Sequence, residues 1–324
     1  MQEIIINRLR ELLASDEYVG VIGWAEGEAP FDRTPQLFDK GHLGELRYDS
    51  FCGANLAKYL VSRTANTEKK IIALLKPCDS YSFNQLCTEH RIDRDKVYVI
   101  GVGCKGKIDV EKIRRAGIKG ILGITEEGDM LKIETLYGNR EIARADVLLE
   151  KCLACKGKEH KCADVVLGES ADTACGDKFA TVNKLNAMTP DERFEFWRGE
   201  LSKCIRCNAC RNVCPACSCI KCVFDNPKSG VANKAAADDF EENMFHIIRA
   251  YHVAGRCTDC GECSRVCPEG IPLHLLNRKI IQDINELYGD YQAGEAEGQR
   301  HPLTDFTFED EEPSIIEKRG GKKQ

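Results

Sequence analysis

Between Cys204 and Cys267 the chain carries one cysteine spacing twice. Cys204, Cys207, Cys210 and Cys214 read C-x-x-C-x-x-C-x-x-x-C-P. Cys257, Cys260, Cys263 and Cys267 repeat it, and a proline closes each run. Three thiolates at such intervals wrap three corners of an iron–sulfur cubane, and the turn before the proline carries the fourth cysteine away to the other cubane. The spacing therefore assigns Cys204, Cys207, Cys210 and Cys267 to one [4Fe-4S] cluster, and Cys257, Cys260, Cys263 and Cys214 to a second. Zinc sites are built from separated C-x-x-C pairs, which these runs are not. The small residues Ala209 and Gly261 inside the loops suit the close approach of backbone to cluster sulfides.

The chain has 19 cysteines in 324 residues, so the paired run leaves others to place. Its start, MQEIIINRLRELL, reads as a charged amphipathic helix and lacks the parts of a secretory leader. The thiols are therefore expected to be reduced metal ligands in an oxygen-poor cytoplasm, not disulfides. Cys217, Cys219 and Cys222 follow the first run as C-x-C-x-x-C. They supply most of a further metal site, with Cys162 or Cys175 as the remaining donor; otherwise one or two of them are buried as small apolar residues. Cys78 and Cys104 each end a β-rich run, KIIALLKPC and VYVIGVGC. Strand ends of an open α/β sheet face the binding crevice, where these two can meet the chelating pair Cys152 and Cys155 in a third cluster site. The alternative is a zinc knuckle of Cys152, Cys155, Cys162 and Cys175, with His160 nearby. His246 and His252, six residues apart, read as local hydrogen-bonding residues.

Two cysteine regimes imply two domains. Residues 1–180 read as α/β: YVGVIGWA, KIIALL and VYVIGVG alternate with helical segments near 53–64, 80–90 and 110–116, the pattern of a mostly parallel sheet. Residues 181–203 form a linking helix, begun by the capping box of Thr189 and Glu192 with Pro190 between. Residues 204–288 are a helical, loop-rich two-cluster domain, and 289–324 a polar tail. A net charge of -6 argues against a nucleic-acid footprint. No apolar run is long enough to span a membrane.

At these residues a resemblance enters. KPCD, GVGC and the C-x-x-C…CADVVLGE stretch resemble the beta subunit of coenzyme F(420)-reducing hydrogenases and formate dehydrogenases, over roughly residues 20–180. The family implies FAD beside a [4Fe-4S] cluster, and electron passage between an iron–sulfur chain and a soluble carrier. DSFCGANLAKYL resembles the family's flavin loop entering a helix, which places Ser50, Gly53 and Asn55 at the flavin. Cys52 and the missing paired glycines depart from that pattern. The second half resembles the bacterial two-cluster ferredoxins and the iron–sulfur subunits of heterodisulfide-reductase-type flavoproteins, formate dehydrogenases, hydrogenases and an anaerobic sulfite reductase. These resemblances imply a non-catalytic subunit that relays low-potential electrons. Its partners would be a flavoprotein, formate dehydrogenase, hydrogenase or heterodisulfide-reductase-like subunit, and ferredoxin or another carrier. The alternatives are an FAD-dependent reductase of a deazaflavin, ferredoxin or NAD, for which no G-x-G-x-x-G fingerprint is found, and a zinc-stabilised interaction module.

Overall fold

The structure is a computed structural model that describes residues 1–170, 176–226, 228, 239–299 and 301–304. Cys175 and the tail from 305 onward lie outside the described residues. From the N terminus, α1 (Gln2–Leu12) precedes β1 (Tyr18–Glu26), β2 (Arg33–Phe38) and β3 (Leu46–Arg47). Then α2 (Ala57–Thr64), β4 (Lys70–Leu75), α3 (Pro77–Thr88) and β5 (Val97–Val102) alternate. The KIIALL run is apolar on both faces and therefore takes a central position, where both faces of the sheet are covered. β1 and β5 flank it, each parallel to it.

After β5 come α4 (Val110–Arg115), the hairpin strands β6 (Ile121–Glu127), β7 (Met130–Thr135) and β8 (Arg140–Ala143), and the single turn α5 (Glu150–Leu153). The chain returns to the main sheet as β9 (Val165–Leu167), parallel to β5. The order is β2-β1-β4-β5-β9, and β2 and β3 both pair antiparallel with β1. The mostly parallel sheet expected from sequence is present, with an antiparallel edge. The second sheet, the antiparallel meander β6-β7-β8, was not anticipated. MLKIET alternates strictly between exposed and buried, and Leu131 and Ile133 close over Ile113 and Val147.

The remaining helices are α6 (Ala180–Asn186), α7 (Pro190–Leu201), α8 (Ala209–Asn212), α9 (Asp239–His252), α10 (Glu262–Arg265) and α11 (His274–Tyr288). Residues 181–203 thus hold two helices rather than one. Thr189 Oγ1 accepts from the Glu192 amide at 3.3 Å, and the Glu192 carboxylate accepts from the Thr189 amide at 2.8 Å. That reciprocal cap starts α7, which runs into Cys204.

Candidate metal centres

The two triplets have the same backbone. Arg206 and Asn208 flank Cys207 with φ of 53° and 61°, and Asp259 and Gly261 flank Cys260 with φ of 50° and 67°. Two left-handed residues around each middle cysteine curl the loop so that its three thiols can converge. Gly261 fills such a place readily. Its counterpart is Asn208, not Ala209, which lies inside α8. Cys204, Cys207, Cys210 and Cys267 line one cavity with Phe245, His246, Ile271 and Leu273.

Cys214 lies with the other set. Cys214 packs with Cys257 in one buried cluster, and burial pushes the thiols of Cys260 and Cys263 up to about 12. Thiols this buried stay protonated unless a metal replaces the proton, so the donor chemistry suits iron. Arg249 is buried between the two sets, donates to the Cys210 carbonyl at 2.9 Å, and lies within electrostatic reach of Cys214, Cys263, Cys210 and Cys217. A fixed cation there favours the more negative, reduced state of either centre. His246, read from sequence as a local hydrogen-bonding residue, is 2% exposed, and neither ring nitrogen has a partner among the described residues. Its ring approaches Cys204 and Glu242, the three donor atoms lying within 4.8 Å of one another.

Cys78, Cys104, Cys152 and Cys155 line a single cavity. Cys78 sits in the first turn of α3, which begins at Pro77, earlier than expected; Lys76 is its N-cap, and the Asp79 carboxylate in that turn accepts from the Lys76 amide at 3.4 Å and pairs with the buried Lys76 ammonium at 2.7 Å. Cys104 follows β5, Cys152 lies on α5, and the Cys152 sulfur accepts from the Lys107 amide at 3.3 Å. Lys76, Lys107 and Lys151 stand in the same wall. So do Asp259 and Cys260, from the second triplet.

The zinc-knuckle grouping is not assembled. Cys162 packs against the sheet core, with Arg94 and Asp164 beside it and its thiol pushed up to about 12 by burial. Cys152 and Cys155 face the other cavity, and Cys175 lies outside the described residues. The His160 ring lies within 3.0 Å of the Leu75 carbonyl and packs over Gly101.

The flavin loop also requires correction. Asn55 is buried, donates to Ser82 Oγ at 2.9 Å and accepts from the Ala57 amide at 3.0 Å, so the start of α2 is already capped. A side chain at Gly53 would meet Leu149 and Arg265 at 3.2 and 3.3 Å, and the Ser50 carbonyl accepts from the Ile108 amide. Gly53 and Asn55 are thus taken up by packing, while Ser50 is half-buried with its carbonyl engaged. Cys52 is a core thiol, raised to about 11 by burial.

Cys217, Cys219 and Cys222 line a further cavity with His252, Phe224, Lys58, Arg211, Arg249 and Arg256. Cys162, one of the two cysteines proposed to complete this set, is not on that wall.

Interlocked cysteine quartets in a helical module, resting on a parallel-sheet domain, define an iron–sulfur protein of the dicluster kind. Residues 200–271 match the 4Fe-4S dicluster domain family. Over most of its length the chain is similar to the F(420)-dependent formate dehydrogenase subunit beta of Methanocaldococcus jannaschii. The two are 23% identical over 335 positions, covering 83% of this chain and 86% of that one. It is also similar to the F(420)-dependent formate dehydrogenase 1 subunit beta of Methanococcus maripaludis, 25% identical over 48% of this chain and 57% of the relative. Among solved structures, a chain of the F(420)-reducing [NiFe] hydrogenase complex from Methanosarcina barkeri superposes with a TM-score of 0.35 and 13% identity, over 47% of this chain and 58% of that one. Among the described residues, no helix is long and apolar enough to cross a membrane.

Proposed function

We propose that this chain is the electron-relay subunit of a multi-subunit oxidoreductase, passing low-potential electrons between a catalytic partner and a carrier. The observation that carries this reading is the position of Cys260. By spacing it belongs to the second ferredoxin-type quartet, yet it lines the cavity of Cys78, Cys104, Cys152 and Cys155. A site in the α/β domain and the dicluster module are therefore contiguous. In this reading Cys204, Cys207, Cys210 and Cys267 hold one cluster, Cys257, Cys260, Cys263 and Cys214 the next, and the α/β quartet a third.

When bound, [4Fe-4S] clusters supply one-electron exchange within a range of roughly -700 to +450 mV. The protein side sets where in that range they work. Lys76, Lys107, Lys151 and Arg249 offset the added negative charge of reduction. Phe245, Ile271 and Leu273 keep water from the outer quartet. The similarity to formate dehydrogenase beta subunits makes a formate-oxidising partner and a deazaflavin carrier the favoured ends of the relay. A carrier reductase using flavin at Ser50, Gly53 and Asn55 is disfavoured, because Gly53 and Asn55 are buried in contacts of their own.

The test is anaerobic purification followed by iron, sulfide, zinc and flavin analysis with low-temperature EPR. About twelve or more irons per chain, with mutually interacting signals after reduction, are expected. Zinc in place of iron at the paired runs would sink the proposal.

A further inference from the structure

The third cysteine group has no role in the relay described so far. Cys217, Cys219 and Cys222 open onto a cavity of about 670 Å³. Among the described residues, no three of the cysteine, histidine and carboxylate donor atoms on this wall lie within 4.8 Å of one another, as four donors on a single ion at 2.0–2.3 Å would. The wall carries four cationic side chains, Lys58, Arg211, Arg249 and Arg256. All four are anchored, Arg249 through its bond to the Cys210 carbonyl. Arg256 grips the Glu89 carboxylate with two bonds of 2.8 and 2.6 Å, Arg211 pairs with Asp225 at 2.8 Å, and the Lys58 ammonium donates to the Cys217 carbonyl. The pairing of Asp225 with Arg211 removes the one carboxylate on this wall as a donor. His252 is the imidazole that remains, against Phe224.

Cys217 is also in hydrogen-bonding contact with Cys214, a member of the second quartet. A centre held by Cys217 would adjoin that cluster directly. At the opposite side, Cys219 and Ile220 are exposed, Ile220 at 93%. The cavity thus bridges the dicluster core and the molecular surface.

We propose that Cys217, Cys219 and Cys222, completed by His252, hold a further [4Fe-4S] cluster, which adjoins the second ferredoxin-type cluster and forms the surface terminus of the relay. Electron exchange between the two centres oxidises one as it reduces the other. Three thiolates and a neutral imidazole leave a cubane singly negative when oxidised and doubly negative when reduced, and the cationic wall favours the reduced state. The inference rests on the relay reading only in taking Cys214 as a ligand of the neighbouring cluster.

The experiment compares the full-length chain with the double variant Cys219→Ser/Cys222→Ser and with His252→Ala, all loaded and purified without oxygen. Iron, sulfide and zinc are counted, and EPR spectra are recorded at graded reduction. The double variant is expected to lose about four irons and four sulfides per chain and one EPR signal, while the signals of the remaining clusters persist. His252 is exposed, so His252→Ala tests the site without threatening the fold; it should alter or abolish that same signal. Cys162→Ser should leave it intact. Loss of zinc rather than iron, loss of no metal, or loss of the same irons in Cys162→Ser would each overturn the proposal. Failure of the relay reading would look different, as the absence of the persistent signals in the unaltered chain.

Discussion

His246 is the residue whose chemistry depends most on the cluster beside it. Burial, with Arg249 and Arg206 adding to it, holds the imidazole neutral, its pKa down at about 3. A neutral ring still carries one N–H, and that donor has no partner among the described residues. Leaving such a group unsatisfied costs roughly 1–3 kcal/mol, so a partner outside the polypeptide is expected. It lines the cavity of Cys204, Cys207, Cys210 and Cys267, where thiolate and sulfide acceptors would lie. A donor to cluster sulfur stabilises the reduced, more negative form and raises the potential. His246→Phe should therefore shift one cluster to a more negative potential in an EPR-monitored redox titration, and His246→Asn should shift it less. An unchanged potential would mean that the N–H points elsewhere. The cysteines of this site could be read from spacing, because their geometry is local. The histidine could not, because its approach to Cys204 depends on how α9 packs over the loop.

At the level of elements, the two triplets show what spacing encodes and what it conceals. The repeat of C-x-x-C-x-x-C was visible, but which loop residues take the left-handed conformation was not. Gly261 marked one position, and Asn208, among the non-glycine residues that tolerate this region, marked its equivalent less plainly. Asn208→Gly should keep full iron content and leave stability equal or slightly raised. Asn208→Val should cost roughly 1–2 kcal/mol, seen as a lower denaturant midpoint for cluster bleaching. The same contrast holds across the fold. The central strands were legible as continuous apolar runs, whereas the β6-β7-β8 meander went unnoticed although its middle strand alternates cleanly. The flavin loop failed for a physical reason. A glycine followed by a helix looks like an anion seat, but the Asn55 side chain already caps that helix, and Gly53 is small because Arg265 and Leu149 press on it.

At the level of the whole molecule, the α/β and dicluster regions are locked together, and the lock passes through the metal sites. Lys151, next to Cys152, bonds Glu262 at 2.6 Å and the Gly53 carbonyl at 2.7 Å, with both side chains of the ion pair buried. Ser82 meets Thr258 at 2.8 Å, and Glu89 holds Arg256. Breaking a buried ion pair on one side typically costs 3–5 kcal/mol. Arg265 still holds Glu262 through bonds of 2.9 and 2.7 Å, so Lys151→Met should lie at the low end, about 3 kcal/mol, read from anaerobic denaturant titration. A rigid joint matters because electron exchange requires a fixed short separation, and the wall shared through Cys260 supplies it. The double variant Cys78→Ser/Cys104→Ser tests that continuity. Its ferredoxin-type clusters should still load, since none of their ligands is touched, and iron should fall by about four per chain. Electron transfer from a dye-reduced dicluster module to an acceptor that docks on the α/β domain should then drop at least tenfold. If transfer survives with the iron lost, the α/β site is a side branch and the current runs wholly within the C-terminal module.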